Sequence, residues 1–250
     1  MISKIRILNI NIQSLSKEDL LKKLQKGVLV TPNLDHMVKL QKDKKFYEAY
    51  KSSDWIICDS KILMLMSRFL GKPIKEAIPG SSFFTSYCNF HKNNSNIKIF
   101  LMGAGPGVAE QAMWKINKRI GREIIAGAHS PSYGFEKNDM ECKEIVKKIN
   151  DSNCNVLVVG VGAPKQEKWI MEYKNNMLNI DLFMALGATI DFEAGNIDRA
   201  PVFFQKVYLE WFYRFLKEPK RLWRRYFVDD PVFFYHLLMQ KLGFYRNPFY

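Results

Sequence analysis

The sequence predicts an α/β fold: a Rossmann-like, mostly parallel sheet flanked by helices, with a helical C-terminal appendage. Three observations carry that expectation. Strand-length apolar runs alternate with helix-length stretches from Ile5 to Leu186, the pattern of units that pack helices on both faces of a parallel sheet. Two of the runs, Ile97 to Met102 and Val156 to Val159, pass directly into glycine turns, GAGPG and GVGAP, that open helices. After Arg199-Ala200-Pro201 the composition changes: residues 201–250 hold nine Lys/Arg against four Asp/Glu, and 17 of the chain's 34 aromatic residues. The expected division is an α/β domain over 1–200 and an appendage over 201–250.

A first strand is expected near Ile5 to Ile10. Ser16, with Asp19 three residues on, has the spacing of a helix cap, and Leu20, Leu21 and Leu24 mark the buried face of the helix it opens. Val28 to Val30 reads as a short strand ending in the polar turn Thr31-Pro32-Asn33. Leu34 to Tyr50 reads as a helix with Met37, Leu40, Phe46 and Tyr47 inward. A second short strand, Trp55 to Cys58, ends at Asp59-Ser60, ahead of a helix from Ile62 to Leu70 closed by Gly71 and Pro73. Gly80-Ser81-Ser82 introduces an aromatic helix to Phe90. A helix from Val108 to Ile120, a strand from Glu123 to Ala126, the loop GAHSPSYG and a charged helix from Glu136 to Asn150 follow. After a helix from Lys165, Leu182 to Leu186 is the last strand, ending in Gly187-Ala188. The appendage reads as helices over Val202 to Leu216, Arg221 to Phe227 and Val232 to Leu242, broken at Glu218-Pro219 and Asp229-Asp230-Pro231.

Open α/β sheets bind ligands at the carboxyl ends of their strands, where helix N-termini offer unpaired N–H groups to anions. The candidates selected by that rule are Thr31, Asn33 and Asp59 after the short strands, and Gly103, Gly105 and Gly107 in the first glycine turn. Gly162, Lys165, Gln166 and Glu167 belong to the second turn, and Gly187 and Asp191 follow the last strand. Two glycine turns suit a nucleotide bearing a diphosphate. Neither matches the dinucleotide G-x-G-x-x-G or the P-loop, which demotes a nicotinamide enzyme and an NTPase. Each candidate also has a plainer reading. Asp59 can serve as a general base or cap the helix starting at Ser60. Thr31 and Asn33 can simply form a turn, and the glycines can simply allow close packing. Asp191 offers acceptor oxygens to a sugar or base, and His129 reads as a ligand contact or a surface residue.

The formal net charge of +13 points to an anionic partner. Arg221, Arg224 and Arg225 lie close together at helical spacing and can hold a diphosphate. They can equally form a solvated basic face, or track nucleic-acid phosphates beside stacking rings. The rings and cations of the appendage suit the interfacial layer of a bilayer. Cys58, Cys88, Cys142 and Cys154 follow no metal or disulfide spacing, and D-x-D and paired-histidine patterns do not occur. Reduced thiols and chemistry without a metal are expected. No apolar run reaches the roughly 18 residues of a membrane span, and the first residues lack a signal peptide's apolar core. A cytoplasmic protein is expected.

Taken in order, the segments TPNLDHMVKLQKD, ICDS, SRFLGKPIKEAIPGS, LMGAGPGVAEQA, VGVGAPKQEKWI, ALGATIDFEAGNIDRAP and LEWFYRFLKEPKRLWRRY resemble the WecG/TagA/CpsF glycosyltransferases (glycosyltransferase family 26). These act in bacterial cell-surface polysaccharide and teichoic acid synthesis. The resemblance spans nearly the whole chain and is most specific at GxGAPKQE and EWxxRxxxEPxRLWRRY. It implies an inverting transferase that moves a hexosamine-type sugar, typically N-acetylmannosamine or its uronic acid, from a UDP-sugar to N-acetylglucosamine on undecaprenyl diphosphate. It further implies no metal and no cofactor beyond the donor, no nucleic-acid partner, and an appendage that meets the inner face of the cytoplasmic membrane and closes the site. Asp59 takes the role of general base with Thr31 beside it, and Arg214, Arg221, Arg224 and Arg225 fold over the diphosphate.

The chain departs from the family pattern in places. Ser60 follows Asp59 where a glycine is common, and in EAIPGSS Ala77 replaces a frequent arginine and Ser82 an aspartate. The missing arginine points to a neutral donor sugar instead of a uronic acid. A non-catalytic binding protein for nucleotide-sugars or nucleic acid is the rival reading, and a structural subunit of an assembly complex would need neither the glycine turns nor Asp59. A monomer and a homo-oligomer that hides the aromatic surface are both compatible with the sequence.

Overall fold

A computed structural model describes residues 2–197, 201, 204 and 210–250. The boundary expected at Arg199-Ala200 lies outside the described residues, as does most of the helix expected from Val202.

The first element differs from expectation. Leu8 takes a left-handed conformation (φ 51°) between β1 (Ser3–Ile7) and β2 (Ile10–Ser14), so the single expected strand is an antiparallel hairpin. Its alternation of buried Ile5, Ile7, Ile10 and Ile12 with exposed Lys4 and Arg6 is the period of a half-buried sheet. Gln13 ties the hairpin to the main sheet through a bridge to Ile57 and a side-chain N–H donated to the Asp54 carbonyl at 2.7 Å.

The main sheet holds six parallel strands in the order β4-β3-β8-β7-β5-β6. They are β3 (Gly27–Val30), β4 (Trp55–Ile56), β5 (Ile99–Gly103), β6 (Ile125–His129), β7 (Val156–Gly160) and β8 (Leu182–Ala185). The central strands β5, β7 and β8 are buried throughout, which is why they read as continuous apolar runs. β6 starts later than expected and takes in Gly127, Ala128 and His129. The Asn117 side chain bonds both backbone groups of Ile125 at 2.9 Å and fixes that start.

Helices cover both faces. On one face lie α2 (Leu34–Lys39), α3 (Lys44–Lys51), α4 (Lys61–Phe69), α7 (Asp139–Asp151) and α8 (Lys165–Tyr173); on the other lie α1 (Lys17–Lys23), α5 (Gly80–Phe90), α6 (Val108–Ile120) and α9 (Thr189–Ala194). Ser16 and Asp19 form the reciprocal cap expected of α1. The long helix expected from Leu34 to Tyr50 is two helices, because the Asp43 side chain accepts from Phe46 N at 3.0 Å and starts a second one. The charged helix likewise begins late, at the Asn138 cap, after a short 3₁₀ turn over Phe135–Lys137. All four cysteines are buried free thiols, as expected.

The described tail comprises helices over Glu210–Lys217, Pro219–Arg224 and Pro231–Lys241, with Arg225–Asp229 wound as a π-helix between the last two. Phe233 and Leu237 are buried in the core that α2 and α3 share. Gln240 accepts from Leu8 N at 2.7 Å and donates to the Arg6 carbonyl at 3.1 Å, and the Tyr245 hydroxyl donates to Gln41 at 2.6 Å. These contacts seat the π-helical segment over the carboxyl ends of the strands. Among the described residues no helix is long and apolar enough to cross a membrane.

Candidate active site

Four strands, β4, β3, β8 and β7, deliver their carboxyl ends to one cavity of about 240 Å³. Of the expected site residues, Thr31, Asn33, Asp59, Gln166, Gly187 and Arg225 line it. This is the position at which an open parallel sheet offers a ligand its strand-end loops.

Asp59 is held on both sides. Its backbone N–H donates to the Pro32 carbonyl at 3.1 Å, and its Oδ1 accepts from Gly80 N at 2.8 Å. The helix cap is Ser60, whose Oγ accepts from Leu63 N at 3.3 Å, so capping is not the role of Asp59. Thr31 is buried at the end of β3, and its Oγ1 lies 3.5 Å from the place a Cβ on Gly80 would occupy. Gly80 therefore touches both expected catalytic residues. Asn33 combines its two readings: Oδ1 caps α2 through His36 N at 3.1 Å and accepts from Arg225 Nη2 at 3.4 Å.

Arg225 reaches into the site from the tail. Its Nη1 stands 3.9 Å from Asp35 Oδ2, which is also 2.7 Å from Lys39 Nζ. Burial opposes ionisation of Asp35, but Arg225 and Lys39 outweigh it and hold the carboxyl below its ordinary range. Arg225 Nε is buried with no hydrogen-bond partner. Asp230, 5% exposed, lines the same cavity with an unpartnered Oδ1, and burial pushes it up to about 6 against the pull of Arg225. An anion entering here meets a guanidinium with spare donors and a carboxyl that can hold a proton.

Gln166 is a brace as well as a wall. Its Oε1 accepts from Gly162 N at 3.2 Å and Gly187 N at 3.1 Å, tying together the turns after β7 and β8. Its Nε2 donates to Glu167 Oε1 at 2.9 Å. Glu167 is 2% exposed, lies behind Gln166 instead of lining the cavity, and has Oε2 unpartnered; burial raises it to about 7. The ligand contact expected of Glu167 is thus replaced by support of the residue before it.

The remaining candidates lie elsewhere. A Cβ on Gly103 would stand 2.5 Å from the Gly160 carbonyl oxygen, and one on Gly160 would stand 2.7 Å from that of Gly187. These glycines let the ends of β5, β7 and β8 approach closely. Gly103, Gly105 and Gly107 do not line the cavity. Lys165 stands 3.7 Å from Glu136 and over the Tyr133 ring, and Asp191 is half-buried in α9. Arg224 is 83% exposed beside Asp229. The side chains of Arg214 and Arg221 lie outside the described residues. His129 is half-buried on β6. At the departures from the family pattern, Ser60 lines the cavity, Ser82 donates to the Pro79 carbonyl at 3.0 Å and Ala77 packs against the core.

Among the cavity residues that escape sequence reasoning are the titratable His36 and Asp230. Asp230 looked like a helix breaker beside Pro231. His36 looked like an ordinary helix residue, although its place three residues after the Asn33 cap sets it in the first turn facing the strand ends. Among the described residues no three His, Cys, Asp or Glu side chains are grouped to hold a metal ion.

The chain matches the glycosyl transferase WecG/TagA/CpsF family over residues 5–247. It is 30% identical over 214 residues to the N-acetylglucosaminyldiphosphoundecaprenol N-acetyl-beta-D-mannosaminyltransferases of Staphylococcus aureus strains MW2 and NCTC 8325 / PS 47, covering 85% of this chain and 80% of each relative. With a strand-end cavity built from the same segments that carry the likeness, this chain belongs to the WecG/TagA/CpsF family and is a glycosyltransferase.

Proposed function

We propose that the protein transfers an N-acetylhexosamine, of the N-acetylmannosamine type, from a UDP-sugar to N-acetylglucosamine carried on undecaprenyl diphosphate, in synthesis of a cell-surface polysaccharide or teichoic acid. The relatives' printed names support the sugar and the lipid-linked acceptor. The observation that carries the reading is the meeting of Asp59, Thr31 and Asn33 with Arg225 at one cavity.

In this reading the acceptor hydroxyl gives its proton to the Asp59 carboxylate as its oxygen bonds to C1 of the donor sugar. The C1–O bond to UDP breaks with inversion, and the electron pair leaves on the diphosphate. The Gly80 N–H holds the carboxylate in place. Arg225, with Arg214 and Arg221 of the same tail, neutralises the leaving diphosphate without a metal or further cofactor. Gln166 and Gly187 form part of the cavity wall, and Gly162 is tied to it through its N–H donated to Gln166. Gly103, Gly105, Gly107, Lys165 and Asp191 keep an outlying role toward the nucleotide.

The tail, the proposed second unit over 201–250, carries a membrane-facing surface. Trp223 and Phe227 stack at 4.6 Å and are 57% and 49% exposed, near exposed Leu216 and Val228 and the basic Arg224. Rings and cations of this kind settle at the lipid headgroup layer and bring a site to a lipid-anchored acceptor, which supports a working position on the inner face of the cytoplasmic membrane. No nucleic acid takes part.

The test is incubation with UDP-N-acetylmannosamine, UDP-N-acetylglucosamine and a UDP-uronic acid, each with a short-chain prenyl-diphosphate N-acetylglucosamine. A disaccharide product of inverted anomeric configuration from a neutral donor is expected. Preference for the uronic acid overturns the donor assignment, and retained configuration overturns the mechanism.

A further inference from the structure

His36 lines the cavity, yet its Nδ1 is committed to the core: it lies 2.6 Å from the hydroxyl of Tyr50, which is itself fully buried. Phe46 packs edge-on against both rings, at 5.6 Å from His36 and 5.0 Å from Tyr50, so neither ring has room to turn away. No other hydrogen bond reaches the Tyr50 hydroxyl among the described residues. That fixes the proton. If Nδ1–H donated to Tyr50, the tyrosine O–H would be a buried donor without an acceptor, which is unfavourable. If Tyr50 donates to Nδ1, only acceptor lone pairs of Tyr50 go unused, and the imidazole must carry its proton on Nε2. No hydrogen bond within the described residues engages Nε2, which is not among the sealed, unpartnered side-chain atoms, and His36 lines the cavity.

We infer that Tyr50 locks His36 in the Nε2–H tautomer, and that His36 presents this N–H to the cavity as a donor to an acceptor oxygen of the bound donor, on its sugar or its diphosphate. His36 is then a substrate-binding residue and Tyr50 a positioning residue that acts through it. Burial drives the His36 pKa down to about 3, so the ring stays neutral at working pH and the lock does not titrate. The inference rests on the glycosyl-transfer reading for the identity of the ligand but not for the tautomer.

Long-range ¹⁵N–¹H NMR of the imidazoles separates the two, since the protein has only four histidines. His36, assigned through its loss in His36→Gln, is expected as the Nε2–H tautomer in the free protein, and as a tautomer mixture in Tyr50→Phe. Addition of UDP alone shifts Nε2–H if the partner is a phosphate oxygen. A shift seen only with UDP-N-acetylhexosamine assigns the sugar. In activity, Tyr50→Phe is expected to lower kcat/KM by about tenfold, the loss of one oriented hydrogen bond. His36→Gln, whose amide can still donate, is expected to retain more activity than His36→Leu. An Nδ1–H tautomer in the free protein overturns the inference whatever binds. So does a nucleotide complex, evident from backbone amide shifts, in which His36 does not respond. If no nucleotide binds, the tautomer still decides the lock, and the failure belongs to the donor assignment.

Discussion

The backbone N–H of Gly80 donates to the Asp59 carboxylate at 2.8 Å, across a separation of 21 residues. It joins the start of α5 to the end of β4 and aims the carboxylate at a cavity also walled by Thr31. In the proposed reaction this hydrogen bond orients the carboxylate that takes the proton of a bound hydroxyl. The aspartate is thus positioned by the fold before any substrate arrives.

Arg225 is the arginine whose described side chain enters the cavity, and Arg224, its neighbour, points to solvent. Arg225→Ala is expected to weaken UDP binding by roughly ten- to a hundredfold, the range of a lost charge-assisted interaction. Arg225→Lys is expected to recover little, because a lysine lacks the planar fork. Arg224→Ala is expected to leave UDP affinity within about twofold. Titration calorimetry with UDP checks all three.

Glu167 makes stability depend on pH. Its folded pKa of about 7 lies above the ordinary 4.5, because burial disfavours the charged form. The folded state therefore holds the extra proton between those values. Its contribution is complete below pH 4.5 and is lost as pH rises through 7, a change on the order of 3 kcal/mol. Glu167→Gln, which can still accept from Gln166, is expected to flatten the fall in melting temperature between pH 5 and 8. Parallel curves for both proteins would refute this.

Gly160 tests the packing of the strand ends. A methyl group there would meet the Gly187 carbonyl at 2.7 Å and Ile190 at 3.0 Å. Gly160→Ala is expected to destabilise by about 1–3 kcal/mol, the usual penalty of overpacking. Gly107→Ala meets no neighbour, and its cost is the left-handed backbone alone (φ 76°). Denaturant unfolding of the two variants separates crowding from backbone strain.

The tail's exposed pair, Trp223 and Phe227, tests the membrane reading. Replacing both by serine is expected to reduce binding to vesicles containing anionic lipid by at least about tenfold while leaving UDP affinity unchanged. Vesicle sedimentation and calorimetry read the two quantities. Unaltered vesicle binding would assign the surface to another partner.

The strands that carry the site were legible because parallel strands buried on both faces read as apolar runs, and their ends as glycines and polar residues. That logic located Thr31, Asn33, Asp59 and Gln166. It failed where one side chain decided between equivalent patterns. The cap at Asp43 splits a helix of unbroken apolar period, and Leu8 folds a strand into a hairpin by taking a conformation that leucine rarely adopts. Glycine turns also say nothing of what they approach: Gly103 faces a neighbouring backbone instead of the cavity. His36 has no signature in the sequence because its partner, Tyr50, lies one helix away, and the burial of Glu167 has none because a carboxylate in a helix's first turn normally faces solvent.

The role of Asp59 is tested most directly by comparing wild type with Asp59→Asn for UDP release that depends on the lipid-diphosphate acceptor, with and without EDTA, beside UDP affinity measured on the same preparations. A loss of turnover of at least about a hundredfold in the variant, unchanged UDP affinity, and no effect of EDTA on wild type are expected. Undiminished acceptor-dependent release by Asp59→Asn would contradict the assignment of Asp59 as the base.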